Sequence, residues 1–148
     1  MFKTNIRITN MPQVIARLED IASKLSNVEV AHKKISVLLD KWVQDNFKTE
    51  GGKVGGWAPL KAGGRWVGKK NKRRLDTSAK ILRKTTELQK SFIPFSNKKN
   101  AGIGSELPYS KPHDEGIGIV QRRILPLASE VKADIVNEFE KHIKESAK

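Results

Sequence analysis

Catalysis needs a nucleophile, a proton carrier or a set of metal ligands, and this chain offers few of them. Its three histidines, His32, His113 and His142, stand far apart. His32 and His142 fall on expected helices with no second ligand at metal spacing, so they read as surface or core positions. His113 adjoins Asp114 and Glu115 in an expected loop. That triplet has the chemistry to hold a cation or pass a proton, although neighbouring loop acids are usually only solvated. With no cysteine there is no disulfide, no thiol nucleophile and no Cys-ligated metal. No serine sits in a nucleophile elbow. Gly51-Gly52-Lys53 and Gly55-Gly56 match neither the phosphate-binding P-loop nor the dinucleotide fingerprint. The residues point to no enzyme, no metal and no cofactor.

Charge is the stronger signal. The 148 residues carry 29 Lys and Arg against 16 Asp and Glu, a net charge of +13. Eleven of those cations lie between Lys61 and Lys90, against Asp76 and Glu87 alone, so this segment supplies +9 of the total. Lys61, Arg65, Lys69, Lys70, Lys72, Arg73 and Arg74 surround Trp66. Such a set suits phosphate contact without base reading, by neutralisation and counterion release. A solvated charge run that merely keeps the chain soluble is the bland alternative.

Just before the cations lies GGKVGGWAPL, residues 51–60, with glycines at 51, 52, 55 and 56 running into Trp57, Pro59 and Leu60. Glycine frees the backbone, and Trp57 is a large apolar anchor. The stretch is expected to be a flexible arm ending in a hydrophobic peg, which docks on its own domain or on a neighbour.

The elements that must position these residues are legible from periodicity. Residues 2–9 alternate as a short strand, and Asn10 can cap a helix carrying Val14, Leu18, Ile21 and Leu25, with Pro12 in its first turn. A break at residues 26–27 precedes a second helix over 30–47, with Ile35, Leu38, Leu39, Trp42, Val43 and Phe47 on one stripe. Residues 61–76 lack apolar periodicity and are expected to form a long loop. A helix should restart at Thr77 or Ser78, with Ile81, Leu82, Thr85 and Leu88 on one side. Residues 91–96 read as a strand that Pro94 confines to an edge or bulge, turning at 97–100 into a return strand over 101–105. Residues 113–118 are expected to be loop, and Ile117, Ile119 and Val120 a further short strand. Leu127, Val131, Ile135, Phe139 and Ile143 mark a last helix. The fold class is α+β: N-terminal and C-terminal helices on a small, mainly antiparallel sheet, in a single domain with an extended arm and loop at about 48–76. No apolar run approaches a membrane span, and the N-terminus lacks a signal peptide's apolar core, so a chain without membrane contact is expected, in a cytoplasm or in something assembled there.

In this order the pieces resemble the phage virion morphogenesis family, the tail-completion proteins of Mu-like and related tailed phages. The residues that carry the resemblance are Phe47 and the glycine arm into Gly56-Trp57-Ala58-Pro59-Leu60, and then the lysine-rich loop. Lys80-Ile81-Leu82, Thr86-Glu87-Leu88 and Ser91-Phe92 follow, and after them Ile103-Gly104-Ser105, Pro108-Tyr109-Ser110, His113, Gly116 and Arg123-Ile124-Leu125. It spans roughly residues 30–143. The chain departs from the family pattern at Thr86-Glu87, where a glycine is usual, and at Gln121-Arg122, where a proline is usual.

The resemblance implies a non-enzymatic structural protein of the virion, assembled in the host cytoplasm as a homo-oligomeric ring at the head-proximal end of the tail. A hexamer is one such ring. Its partners would be other neck and tail proteins, with non-specific contact to the genomic DNA passing through. Gly51, Gly52, Gly55, Gly56, Trp57, Pro59, Leu60 and Trp66 would then be an interface arm reaching the next subunit. Lys61 to Arg74 would face DNA or an acidic neighbour, and Tyr109, His113, Gly116 and Arg123 would be structural loop positions. The alternative, from a different class, is a free non-specific nucleic-acid-binding protein using residues 61–90.

Overall fold

The computed structural model describes residues 15, 16, 19, 20, 23, 28–69 and 72–146. The expected first strand, most of the first helix and its Asn10 cap lie outside the described residues, as does Lys70. The architecture is α+β, with long helices before and after two small antiparallel sheets.

Helix α1, Glu29–Lys48, is the spine. Ala31, Ile35, Leu39, Trp42, Val43 and Phe47 recur at helical spacing and are all buried, so one continuous stripe faces inward. Leu38 flanks that stripe, partly buried. The stripe packs on a hairpin of β3, Phe92–Ser96, and β4, Ala101–Ser105, and also meets the last helix. The register pairs Phe92 with Ser105 and runs without a bulge to Ser96 opposite Ala101. Pro94 sits in this ladder because a two-stranded sheet consists only of edges, where a missing N–H costs no pairing. The Asn97 side chain closes the turn by accepting from the N–H groups of Lys99 and Asn100, both at 2.8 Å.

Here the expected single sheet becomes two. The segment 61–76, expected to be a loop, folds into a 3-10 turn, Lys61–Gly63, and a second hairpin. Its strands are β1, Arg65–Val67, and β2, Arg74–Asp76, which pair only with each other. The helix expected from Thr77 does not form. Leu82 and Thr86 take φ of +56° and +58°, which interrupts any helix, and only α2, Glu87–Lys90, is helical. Ile81 and Leu88 are nonetheless buried, so the apolar spacing is satisfied by packing of an irregular chain.

The expected loop at 113 is a short helix, α3, Ser110–Glu115, that ends on Gly116. No strand forms at 117–120, where Ile117, Ile119 and Val120 are exposed. The last helix, α4, Ala128–Ser146, presents Val131, Ile135 and Phe139 inward as expected. Leu127 and Ile143 at its ends stay about half exposed, and His142 fills the inward face instead.

Candidate interaction surfaces

The glycine arm is a folded turn. Helix α1 ends with Gly51 N–H donating to Asn46 O at 2.8 Å and Glu50 N–H donating to Phe47 O at 3.3 Å. That pair of bonds is a Schellman closure, with Glu50 and Gly51 both at positive φ. Gly56 N–H then returns to Gly51 O at 2.7 Å, and Trp57 N–H to Glu50 O at 2.8 Å. Glu50 fixes the arm to the irregular segment as well, its Oε1 accepting from Ile81 N–H at 3.1 Å.

This geometry delivers Trp57 into the chain's own core. Its residue is 7 % exposed, and its ring lies edge-on to Phe47 at 5.2 Å. Its indole Nε1–H donates to Arg123 O at 2.8 Å. Of the two docking sites open to the peg, its own domain takes it, and Trp57 is not free to reach a neighbour. Leu60 also packs against the core, and Gly51 is buried under Trp57. Gly52, Gly55, Gly56 and Pro59 remain exposed.

Arg123 O is a joint between three segments. Besides Trp57 it accepts from Asn46 Nδ2 at 3.0 Å, and Asn46 is fully buried on α1. The Arg123 guanidinium forms a bidentate pair with Glu130, both bonds 2.6 Å, and Glu130 also accepts from Leu127 N–H at 2.7 Å. The second bond is half of a capping box at the start of α4. The hydrogen bond from Arg123 holds the Glu130 carboxyl down from its usual 4.5 to about 2. Arg122 clamps the arm from the other side, donating through Nε to Ala58 O at 3.0 Å and through Nη2 to Pro59 O at 3.2 Å.

The triplet at 113–115 is structural. Asp114 Oδ1 accepts from Ile124 N–H at 2.6 Å and Leu125 N–H at 2.8 Å, tying α3 to the strap before α4. Among the described residues no cluster of acids and histidines has metal-binding geometry. His113 Nδ1 is buried without a hydrogen-bond partner, and desolvation, with Arg122 nearby, lowers its pKa. Tyr109 is partly exposed, and desolvation together with Glu87 raises its phenol above the usual value. A Cβ on Gly116 would lie 2.9 Å from the Gln121 side chain, so the chain passes close there.

Among the described residues, three exposed surfaces bear on the expected contacts. Hairpin β1–β2 makes its principal contacts with itself. Trp66 on it is 59 % exposed, and Lys61, Lys69, Lys72, Arg73 and Arg74 are exposed around it. Arg65 is drawn back to the body, its Nη2 donating to Lys80 O at 2.9 Å. The second surface is the outward side of β3–β4. Ile93 is 64 % and Phe95 53 % exposed there, opposite Gly104 and Gly102. The Phe95 ring lies over Gly102, where a Cβ would stand 2.5 Å from it. The third is a groove of about 770 Å³ between Pro59-Leu60 and residues 116–122, edged by the exposed Ile119 and Val120.

Asn46, Glu50 and Arg122 escape sequence reasoning because each acts on a backbone group far away in the chain, and Asp114, noted in its triplet, turns out to hold backbone and not a cation. Asn46 carried a signal of its own, a polar residue inside the apolar stripe of α1. Among the described residues no helix is long and apolar enough to cross a membrane. The chain matches no protein-family model, no curated protein and no solved structure.

Proposed function

We propose that this chain is a structural subunit of the phage head–tail joint, a tail-completion protein that assembles as a ring at the head-proximal end of the tail and lets DNA pass. The observation that carries the reading is a pair of uncovered apolar surfaces on different elements. One is Ile93 and Phe95 on β3, and the other is the 117–120 loop beside Pro59. Apolar patches of this kind mark contact surfaces. Two unlike patches on one chain suit a head-to-tail contact, which closes into a ring when the rotation permits. The order of motifs from Phe47 to Leu125 supports the same assignment. With Trp57 spent on its own core, subunit contact falls to these patches and not to the indole.

Electron microscopy and light scattering of the purified protein, alone and with tail tubes, test the proposal. Rings, or caps on tube ends, are expected, and Phe95→Glu should abolish them while leaving the unfolding midpoint unchanged. A monomer at every concentration that decorates no tube would overturn it. The exposed basic hairpin favours a second reading, a free nucleic-acid-binding protein. That reading requires the monomer to bind random DNA in a salt-dependent way, with binding lost on charge reversal of Arg73 and Arg74.

A further inference from the structure

Of the three tryptophans, Trp66 alone lies outside the core. Trp42 and Trp57 are 8 % and 7 % exposed, whereas Trp66 is 59 % exposed on hairpin β1–β2. An indole forgoes a large apolar burial in such a place, so a binding partner is the natural cover for it. The register sets its surroundings. Trp66 lies opposite Leu75, and Arg73, two residues from Leu75, continues that face of the ribbon. Lys69 and Lys72 bracket the turn, joined by the Lys72 N–H bond to Lys69 O at 2.8 Å. The hairpin's single acid, Asp76, sits at its base, where it accepts from Ser78 and faces Arg74 and Arg65 rather than Lys69 and Lys72.

We propose that hairpin β1–β2 binds single-stranded nucleic acid, with Lys69, Lys72, Arg73 and Arg74 on phosphates and the Trp66 indole stacked on an unpaired base. Charge complementarity selects a polyanion, and the exposed indole beside the cations selects one with accessible aromatic faces. Every base has such a face, so the contact is indifferent to sequence. A duplex keeps those faces inside its stack and engages the cations alone. The inference deepens the polyanion contact invoked above and rests on it, but it does not depend on ring formation.

The test measures binding of the full-length chain to a labelled thymidine oligonucleotide, to a duplex of equal length, and to inorganic polyphosphate as a charge-only probe. The single strand should bind more tightly than the duplex at equal salt, with a log–log salt slope of about −0.7 per phosphate neutralised. Trp66→Ala should weaken single-strand binding roughly 5- to 150-fold, the effect of one stacked base, and leave duplex binding unchanged. Trp66→Phe should recover most of the loss, and the exposed site leaves the fold of both variants intact. A duplex bound as tightly as the single strand, or a Trp66→Ala variant indistinguishable from wild type, would overturn the stacking role. Polyphosphate competing as well as oligonucleotide at equal charge would overturn it too. No binding of any polyanion at low salt would remove the contact altogether, while the ring would still stand or fall by microscopy.

Discussion

Replacing Trp57 with alanine separates a core anchor from an intersubunit peg. A tryptophan side chain buries roughly 150–250 Å², and at about 25 cal/mol per Å² its loss forfeits about 4–6 kcal/mol. Measured Trp-to-Ala costs of about 3–5 kcal/mol agree with that figure. The lost indole hydrogen bond adds little, because Arg123 O keeps its bond from Asn46 Nδ2 at 3.0 Å and is not left bare. For a chain of this size a loss of about 3–5 kcal/mol lowers the thermal midpoint by about 6–20 °C. Circular dichroism of the dilute, unassembled protein is the assay, so that no subunit contact contributes. Trp57→Phe keeps the edge-to-face packing on Phe47 and should cost only about 1–2 kcal/mol. If Trp57→Ala unfolded within about 0.5 kcal/mol of wild type yet failed to assemble, Trp57 would belong to a neighbour after all.

Two further outcomes follow from the same region. Gly51 and Gly55 have nearly equal φ, +89° and +87°, but a Cβ on Gly51 would stand 2.5 Å from Trp57 Cδ1, and one on Gly55 would meet nothing within 4 Å. Gly55→Ala should therefore cost only the left-handed strain of about 1–2 kcal/mol, and Gly51→Ala about 2–5 kcal/mol by equilibrium unfolding; equal costs would contradict the packing described. The Glu130 carboxyl is depressed from 4.5 to about 2, so its contribution is complete above about pH 5 and disappears as pH falls toward 2. Glu130→Gln should be less stable than wild type at neutral pH, and the two unfolding curves should converge by about pH 2. Parallel curves across that window would show that the pair with Arg123 does not contribute.

The parts of the fold read correctly in advance are those whose pattern is local. The α1 stripe, the β3–β4 hairpin with its Asn97 turn, and Val131, Ile135 and Phe139 on α4 each declare themselves within a few residues. The segment 77–90 misleads because Ile81 and Leu88 have helical spacing, while the positive φ of Leu82 and Thr86 leaves no trace in composition. His113 likewise falls on a helix of 6 residues, too short to display a period. At the candidate surfaces the cations of 69–74 are legible because charge needs no partner to be counted. The fate of Trp57 is not, since its acceptor lies 66 residues away on the main chain of Arg123.

That acceptor is a carbonyl of the backbone, which every amino acid supplies. No side-chain replacement at position 123 can delete it, although one can cut the separate tie to Glu130. The fragility of the joint therefore resides in its donors, Asn46 and Trp57. Random mutagenesis should return damaging changes at those two positions and a milder spectrum at Arg123. The meeting point of helix, arm and strap is thus shielded from point substitution on one side and vulnerable on the other.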